Sequence, residues 1–239
     1  MSLRSVAAAL LCLFALTPLV RADGLLQLRF GGKVHRTVFS EERKEGHFVG
    51  QLVEVEIGAN VAGKPHSLTL HVHLAPGTTG VELARLVERR LTSIGIKIVA
   101  TPDSGNLWVE SAEYVHLRLG GGLRAEVALA EGPPASLAIR PPTRDATEQA
   151  LRVDVTTVIR PSGGLPVRGA ADLVIPLGKD SSAASISAAL ARAGQKEWIS
   201  DRPTGDTWRP IRMTNGAAIT GFSMGLGSGQ GDWRVELRL

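Results

Sequence analysis

The stretch SLTLHVHLAPGTTGVELARLV, residues 67–87, changes its hydrophobic period halfway along. From Ser67 to Leu74 the apolar residues alternate, placing Leu68, Leu70, Val72 and Leu74 on one side, as in a half-buried strand. Beyond Gly77 the spacing becomes helical, with Leu83, Leu86, Val87, Leu91 and Ile94 on one face. Thr79-x-x-Glu82 has the form of a capping box, and Gly95 supplies a left-handed stop. Upstream, QLVEVEI (51–57) reads as a strand, returned by a turn through Gly58–Pro65.

The same pattern recurs about a hundred residues later. ADLVIPLGKDSSAASISAALA lines up with the opening stretch, matching Leu70, Val72 and Leu74 to Leu173, Ile175 and Leu177. A second helix follows, capped by Ser182, with Ile186, Leu190 and Ala193 on its apolar face and Gly194 as its stop. LRAEVAL (123–129) matches WRVELRL (233–239), with Arg124 over Arg234 and Glu126 over Glu236. TPDSGNLW (101–108) matches DRPTGDTW (201–208), each a polar turn leading to a tryptophan. After each helix come short runs bounded by Gly, Pro or Asn: IKIVAT, LWVESA, VHLRL and LRAEVALA, then EWISD, TWRPIRM, ITGFSM and DWRVELRL.

These signals predict an α+β fold of two tandem, duplicated units. Each is a mostly antiparallel sheet of about six short strands with one helix after the second strand. The boundaries read as 23–50, an N-terminal hairpin segment (LLQLRF, KVHRTVF) that completes the first sheet; 51–132, the first unit; 133–150, a Pro-rich linker; and 151–239, the second unit. Residues 1–22 read as a secretory signal. Arg4 precedes an apolar run from Val6 to Leu16, and Val20-Arg21-Ala22 forms the cleavage site. The expectation is therefore an exported protein, periplasmic or secreted. Cys12 is the only cysteine and falls within the signal, so no disulfide is expected.

Charge excludes some partners. Without Arg4 and Arg21 the chain keeps 25 basic and 23 acidic residues, interspersed as in VELARLVERRL. No lysine or arginine run marks a nucleic-acid surface, and no second apolar stretch is long enough for stable membrane insertion.

Catalytic patterns fail on context. GFSMG (221–225) fits G-x-S-x-G, yet the glycines that follow cannot start a helix, and the last histidine is His116. GLGSGQG (225–231) lacks the helix that a dinucleotide fingerprint needs, so no cofactor is expected. No pair among Asp103, Glu110, Asp201, Asp206 and Asp232 stands out for glycosidase chemistry. His71 and His73 project from one face of a strand, and His116 faces away from its apolar neighbours. They are weak candidates for a metal, since no cysteine or fourth ligand accompanies them.

The remaining candidates are Trp108 and Trp208, beside Asn106 and Asp206. A tryptophan at a loop exit with a polar neighbour stacks on a sugar ring or anchors a partner; the simpler reading pins each to its unit's core. The sequence thus points to an exported, non-catalytic binding or assembly protein whose partner is a protein or glycan. The alternatives are a glycan- or ester-directed hydrolase at the inter-unit cleft, and a carbohydrate-binding module using the two tryptophans.

Overall fold

The computed structural model describes residues 24–35, 52–119, 121–140, 151–162, 164–175, 188, 190–191, 194–201, 208–225 and 233–239. In chain order the first seven strands are β1 (Gly24–Gly32), β2 (Leu52–Val61), β3 (Lys64–His73), β4 (Ile98–Thr101), β5 (Asn106–Arg118), β6 (Leu123–Glu131) and β7 (Ser136–Arg140). The others are β8 (Leu151–Ile159), β9 (Val167–Ile175), β10 (Trp198–Ser200), β11 (Arg209–Met213), β12 (Ala218–Met224) and β13 (Arg234–Arg238). Helix α1 (Gly80–Ser93) follows β3, and a 3-10 turn (Pro102–Ser104) precedes β5.

The expected pair of α+β units is corrected by this architecture. All thirteen strands join one antiparallel sheet that curls into a nearly closed barrel, with a single named helix among the described residues. The second predicted helix lies mostly outside the described residues. Of it, Ala188, Leu190 and Ala191 are seen in helical conformation, with Leu190 buried. The units do not stand in tandem, because each half needs the other's last strand. β6 pairs with β12, and β13 pairs with β5. Each half built separately would leave these apolar strands with an unpaired edge.

The ring runs β1–β6–β12–β7–β13–β5. It is hydrogen-bonded throughout except between β12 and β7, where the isolated bridge Ala135↔Ile219 holds the seam. Strand β5 merges LWVESA with VHLRL and serves two arms. Asn106–Val109 pair with β1 and β4, whereas Tyr114–Arg118 pair with β2. Between the two stretches the register slips at Ala112, beside Ser111 at φ 52°, a bulge that bends the strand from one arm into the other. One arm is therefore β3–β2–β5–β13–β7–β11–β10, and the other β9–β8–β12–β6–β1–β5–β4. Leu26, Leu28, Val115, Leu117, Leu137, Val235 and Phe222, all buried, form part of the core.

Local signals explain several elements. Thr79 accepts from the Glu82 amide, and Glu82 reaches back to the Thr79 amide at 2.7 Å, the predicted box. At the other end the Gly95 and Ile96 amides bond to Thr92 and Leu91, and Gly95 takes φ 82°: a Schellman stop with buried Ile96 as its apolar contact. The expected turn at Gly58–Pro65 shrinks to Ala62-Gly63, both at positive φ. Gly58 stays within β2, paired with Ser67 and Tyr114, and the position takes glycine because a Cβ there would strike the ring of Tyr114. Residues 136–140, read as linker, form β7 between β11 and β13, and β1 lies between β5 and β6. No helix among the described residues is long and apolar enough to cross a membrane.

Candidate functional site

Cross-strand pairing relates the outward faces of the two arms residue by residue. On the first arm, one row of partners runs Ala138–Glu236–His116–Glu56–Thr69. On the second, the matching row runs Arg29–Glu126–Ser223–Asp154–Asp172. In the neighbouring row Arg140 faces Arg234, and Glu54 sits between Arg118 and His71. Its counterpart has Gly31 facing Arg124, and Arg152 facing Val174. The register thus sets Arg124 against Arg234, Glu126 against Glu236, and Val174 against His71, in agreement with the sequence match at both ends of the units.

It does not bring the tryptophans together. Gly31 matches Arg140, so Leu28 matches Leu137, and their β5 and β11 partners are Leu107 and Ile211. Trp108 then matches Arg212, and Trp208 matches Ser104. Trp108, half-buried, lies between Gln27 and Val99. Trp208, also half-buried, meets the His116 ring edge-on, with centroids 4.9 Å apart and planes at 85°. Asn106 donates from Nδ2 to Ser104 Oγ at 2.8 Å. Asp206 lies outside the described residues.

The first face is filled. Glu54, His116 and Glu236 are only 4–5% exposed. Arg234 Nε donates to the Glu54 carboxylate at 3.0 Å and its Nη2 lies 2.9 Å from Oε2, so that two guanidinium nitrogens face the carboxylate in a strong charge-assisted pair. His116 Nε2 lies 3.1 Å from Glu54 Oε1, and its Nδ1 lies 3.4 Å from Glu56 Oε2. Glu56 also accepts from the Tyr114 hydroxyl at 2.7 Å. Arg238 pairs with Glu236 and lies over the Tyr114 ring.

Electrostatics follow from this packing. Burial pushes the Glu54 carboxyl up, but Arg234, His116 and His71 outweigh it and hold it below the ordinary glutamate value. Burial pulls His116 below its ordinary value despite the two carboxylates. Burial and the bond to Glu56 push Tyr114 up to about 12. The face therefore presents carboxylates, an imidazole and a phenol packed against one another.

Among the described residues, the second face is open. A cavity of about 590 Å³ is lined by Arg29, Gly31, Ser104, Arg124, Glu126, Arg152, Asp154, Ser223 and Gly225, with Val81 of α1 at its rim. Where the first face carries Trp208, Arg140 and His116, this one carries Ser104, Gly31 and Ser223. Gly80 admits the close approach of α1 to β1, because a Cβ there would strike the Gly31 backbone. The side chain of Arg124 lies across Gly31, its Nε 2.8 Å from where a Cβ would be. Ser223 donates to Asp154 at 3.1 Å, so the serine of GFSMG is a wall residue near the end of β12.

Of the histidine candidates, His71 and His116 both approach Glu54, His71 from 3.9 Å. His73 pairs with Leu52 at the end of β3. No group of three His, Cys, Asp or Glu residues among the described residues is arranged to hold a metal ion. Asp103 and Asp201 form surface pairs with Arg85 and Arg212. Sequence reasoning missed Arg29, Arg124 and Arg152 as site residues. The Arg124/Arg234 match was visible, but what surrounds each arginine depends on strands from the other half.

No protein-family model, curated protein or solved structure matches the chain.

Proposed function

We propose that the chain is an exported, non-catalytic binding protein that takes a small ligand in the groove on its second face. One observation carries this reading. The position that the first face fills with its own side chains is left open on the second, at a volume typical of ligand sites. The groove's polar groups suit recognition: arginines and carboxylates face one cavity, within which Ser223 donates to Asp154.

Native mass spectrometry tests it. The purified chain, incubated with the small-solute fraction of the producing cell's envelope, should retain an adduct that a Ser104→Trp variant loses. Ser104 is exposed and occupies the position that Trp208 holds on the filled face, so its indole should fill the groove without disturbing the core. Identical spectra for both proteins would overturn the reading.

A further inference from the structure

We infer that the β8–β9 hairpin docks on a second copy of the chain, β9 pairing antiparallel with β9 about a twofold axis at Gly169. This surface lies apart from the groove and does not depend on how the groove is read.

The first argument is exposure. The second arm ends at β9, and no strand among the described residues pairs with its far side. Val99 aside, every large hydrophobic side chain exposed among the described residues sits at the tip of this hairpin. Ile159 and Val167 face each other across the ladder, 45% and 59% exposed, and Leu165 in the turn is 87% exposed. The side of β9 that carries Val167 is the side that carries Ala171, Leu173 and Ile175. Leu173 and Ile175 are buried, and Ala171 packs at the rim of the core. The apolar face thus runs on past the core that covers its other end.

The backbone supplies the second argument. The Asp172 carbonyl and the Val174 amide point to the free edge, where Gln195 bonds both. Alternation along a strand turns the amides and carbonyls of Arg168 and Ala170 the same way, and both residues are exposed. With Gly169 on the axis, Arg168 falls opposite the partner's Ala170, and the two exchange N–H and C=O groups. Symmetry repeats the exchange. Val167 then falls opposite the partner's Ala171, so each exposed valine reaches the rim of the other copy's core. Gln195 marks where the paired stretch stops.

Charge selects the occupant. Arg168 and Asp172 lie on the outward side of β9, about 13 Å apart along one strand and too far to pair with each other. Asp172 faces a like charge, Asp154, across the ladder, an unfavourable pairing. In the twofold register Arg168 lies diagonal to the partner's Asp172, within reach of a long side chain. Opposite charges on this edge therefore meet across the axis, as a second copy requires and an unrelated strand does not.

Sedimentation velocity of the purified chain over a concentration series tests the inference. The wild type should form a dimer. Ala170→Pro removes an N–H that faces the free edge, so it should leave the β8–β9 ladder intact and weaken the dimer at least tenfold. Arg168→Glu sets carboxylates side by side across the axis and should weaken it as much. Adding Asp172→Arg to that variant reverses the charge order and should recover the dimer, a result that misfolding cannot produce. Circular dichroism checks that each variant is folded. A wild-type chain that stays monomeric at every concentration would leave this edge to another partner or to water, and overturn the inference. So would a dimer that survives Ala170→Pro or Arg168→Glu, or a folded double variant that stays monomeric.

Discussion

The two outward faces share a pairing register and differ in what fills them. On one, an interlocked set around Glu54 and His116 leaves its central groups nearly without solvent contact. On the other, most of the matching positions are exposed, and they surround a cavity. The backbone pattern is common to both, so the difference lies in a few side chains: Trp208 against Ser104, His116 against Ser223, Arg140 against Gly31, Glu54 against Arg152. A repeated scaffold gives a single site when one copy completes itself from within.

The sharpest way to break the comparison is to make one substitution on each face. Arg234→Ala removes the forked partner of a carboxylate whose side chain is 6% exposed. Leaving that charge buried should cost about 3–5 kcal/mol, read as a fall in urea midpoint. Arg124→Ala, at the matching exposed position, should stay within about 0.5 kcal/mol of the wild type. Equal losses would mean that the two faces are not energetically distinct.

Emptying the filled face is the next test. Trp208→Ala opens the space above His116 and should cost about 2 kcal/mol, less than a fully buried tryptophan because the ring is half-exposed. The more specific readout is the imidazole titration followed by NMR. Burial holds the His116 pKa down, so admitting water should raise it toward its ordinary value of 6.5. No change in that titration would show that the indole does not exclude solvent from the ring.

The same group gives the two faces different pH behaviour. Because the folded pKa of His116 is depressed, the unfolded chain binds the proton first as pH falls through 6.5. Stability is therefore highest above that value and declines as the pH falls below it. Glu54, also depressed, adds a second decline below 4.5, where the unfolded carboxyl protonates before the folded one. His116→Gln should remove the first decline and keep the second. Urea titrations at intervals between pH 4 and 8 would reveal both steps.

Much of the local structure was legible in the chain, and much of the topology was not. Helix α1 with both of its caps, most strands and the match of Arg124 to Arg234 all rest on short-range patterns. Strand exchange between the halves does not. Nothing within LRAEVAL says that it pairs with ITGFSM, and only that pairing sets Ser223 beside Glu126. The tryptophan turns mislead for the same reason. TPDSGNLW and DRPTGDTW agree as strings, but β11 joins β7 in a register that moves Trp208 away from the place of Trp108 and over His116. The site was missed because it is defined by small residues, Gly31, Ser104 and Ser223, that carry no signal until their bulky counterparts are placed opposite them.

The smallest expected effect concerns the outer strands β3 and β9, which end the two arms. β9 is covered over part of its free edge by a side chain acting as a strand. Gln195 accepts from the Val174 amide at 2.8 Å and donates to the Asp172 carbonyl at 3.1 Å, where the Trp198 indole also donates. The side-chain amide thus offers one donor and one acceptor at the spacing of a peptide group, blunting an edge to which no strand among the described residues pairs. Gln195→Ala removes both bonds, but water can replace them at an edge. The loss should therefore be about 0.5–1 kcal/mol, the net value of an ordinary hydrogen bond. The local readout is stronger than the global one: hydrogen exchange at the Val174 amide should quicken several-fold while that of Val155, on the neighbouring strand, stays unchanged. Equal exchange at Val174 in both proteins would mean that Gln195 does not protect this edge.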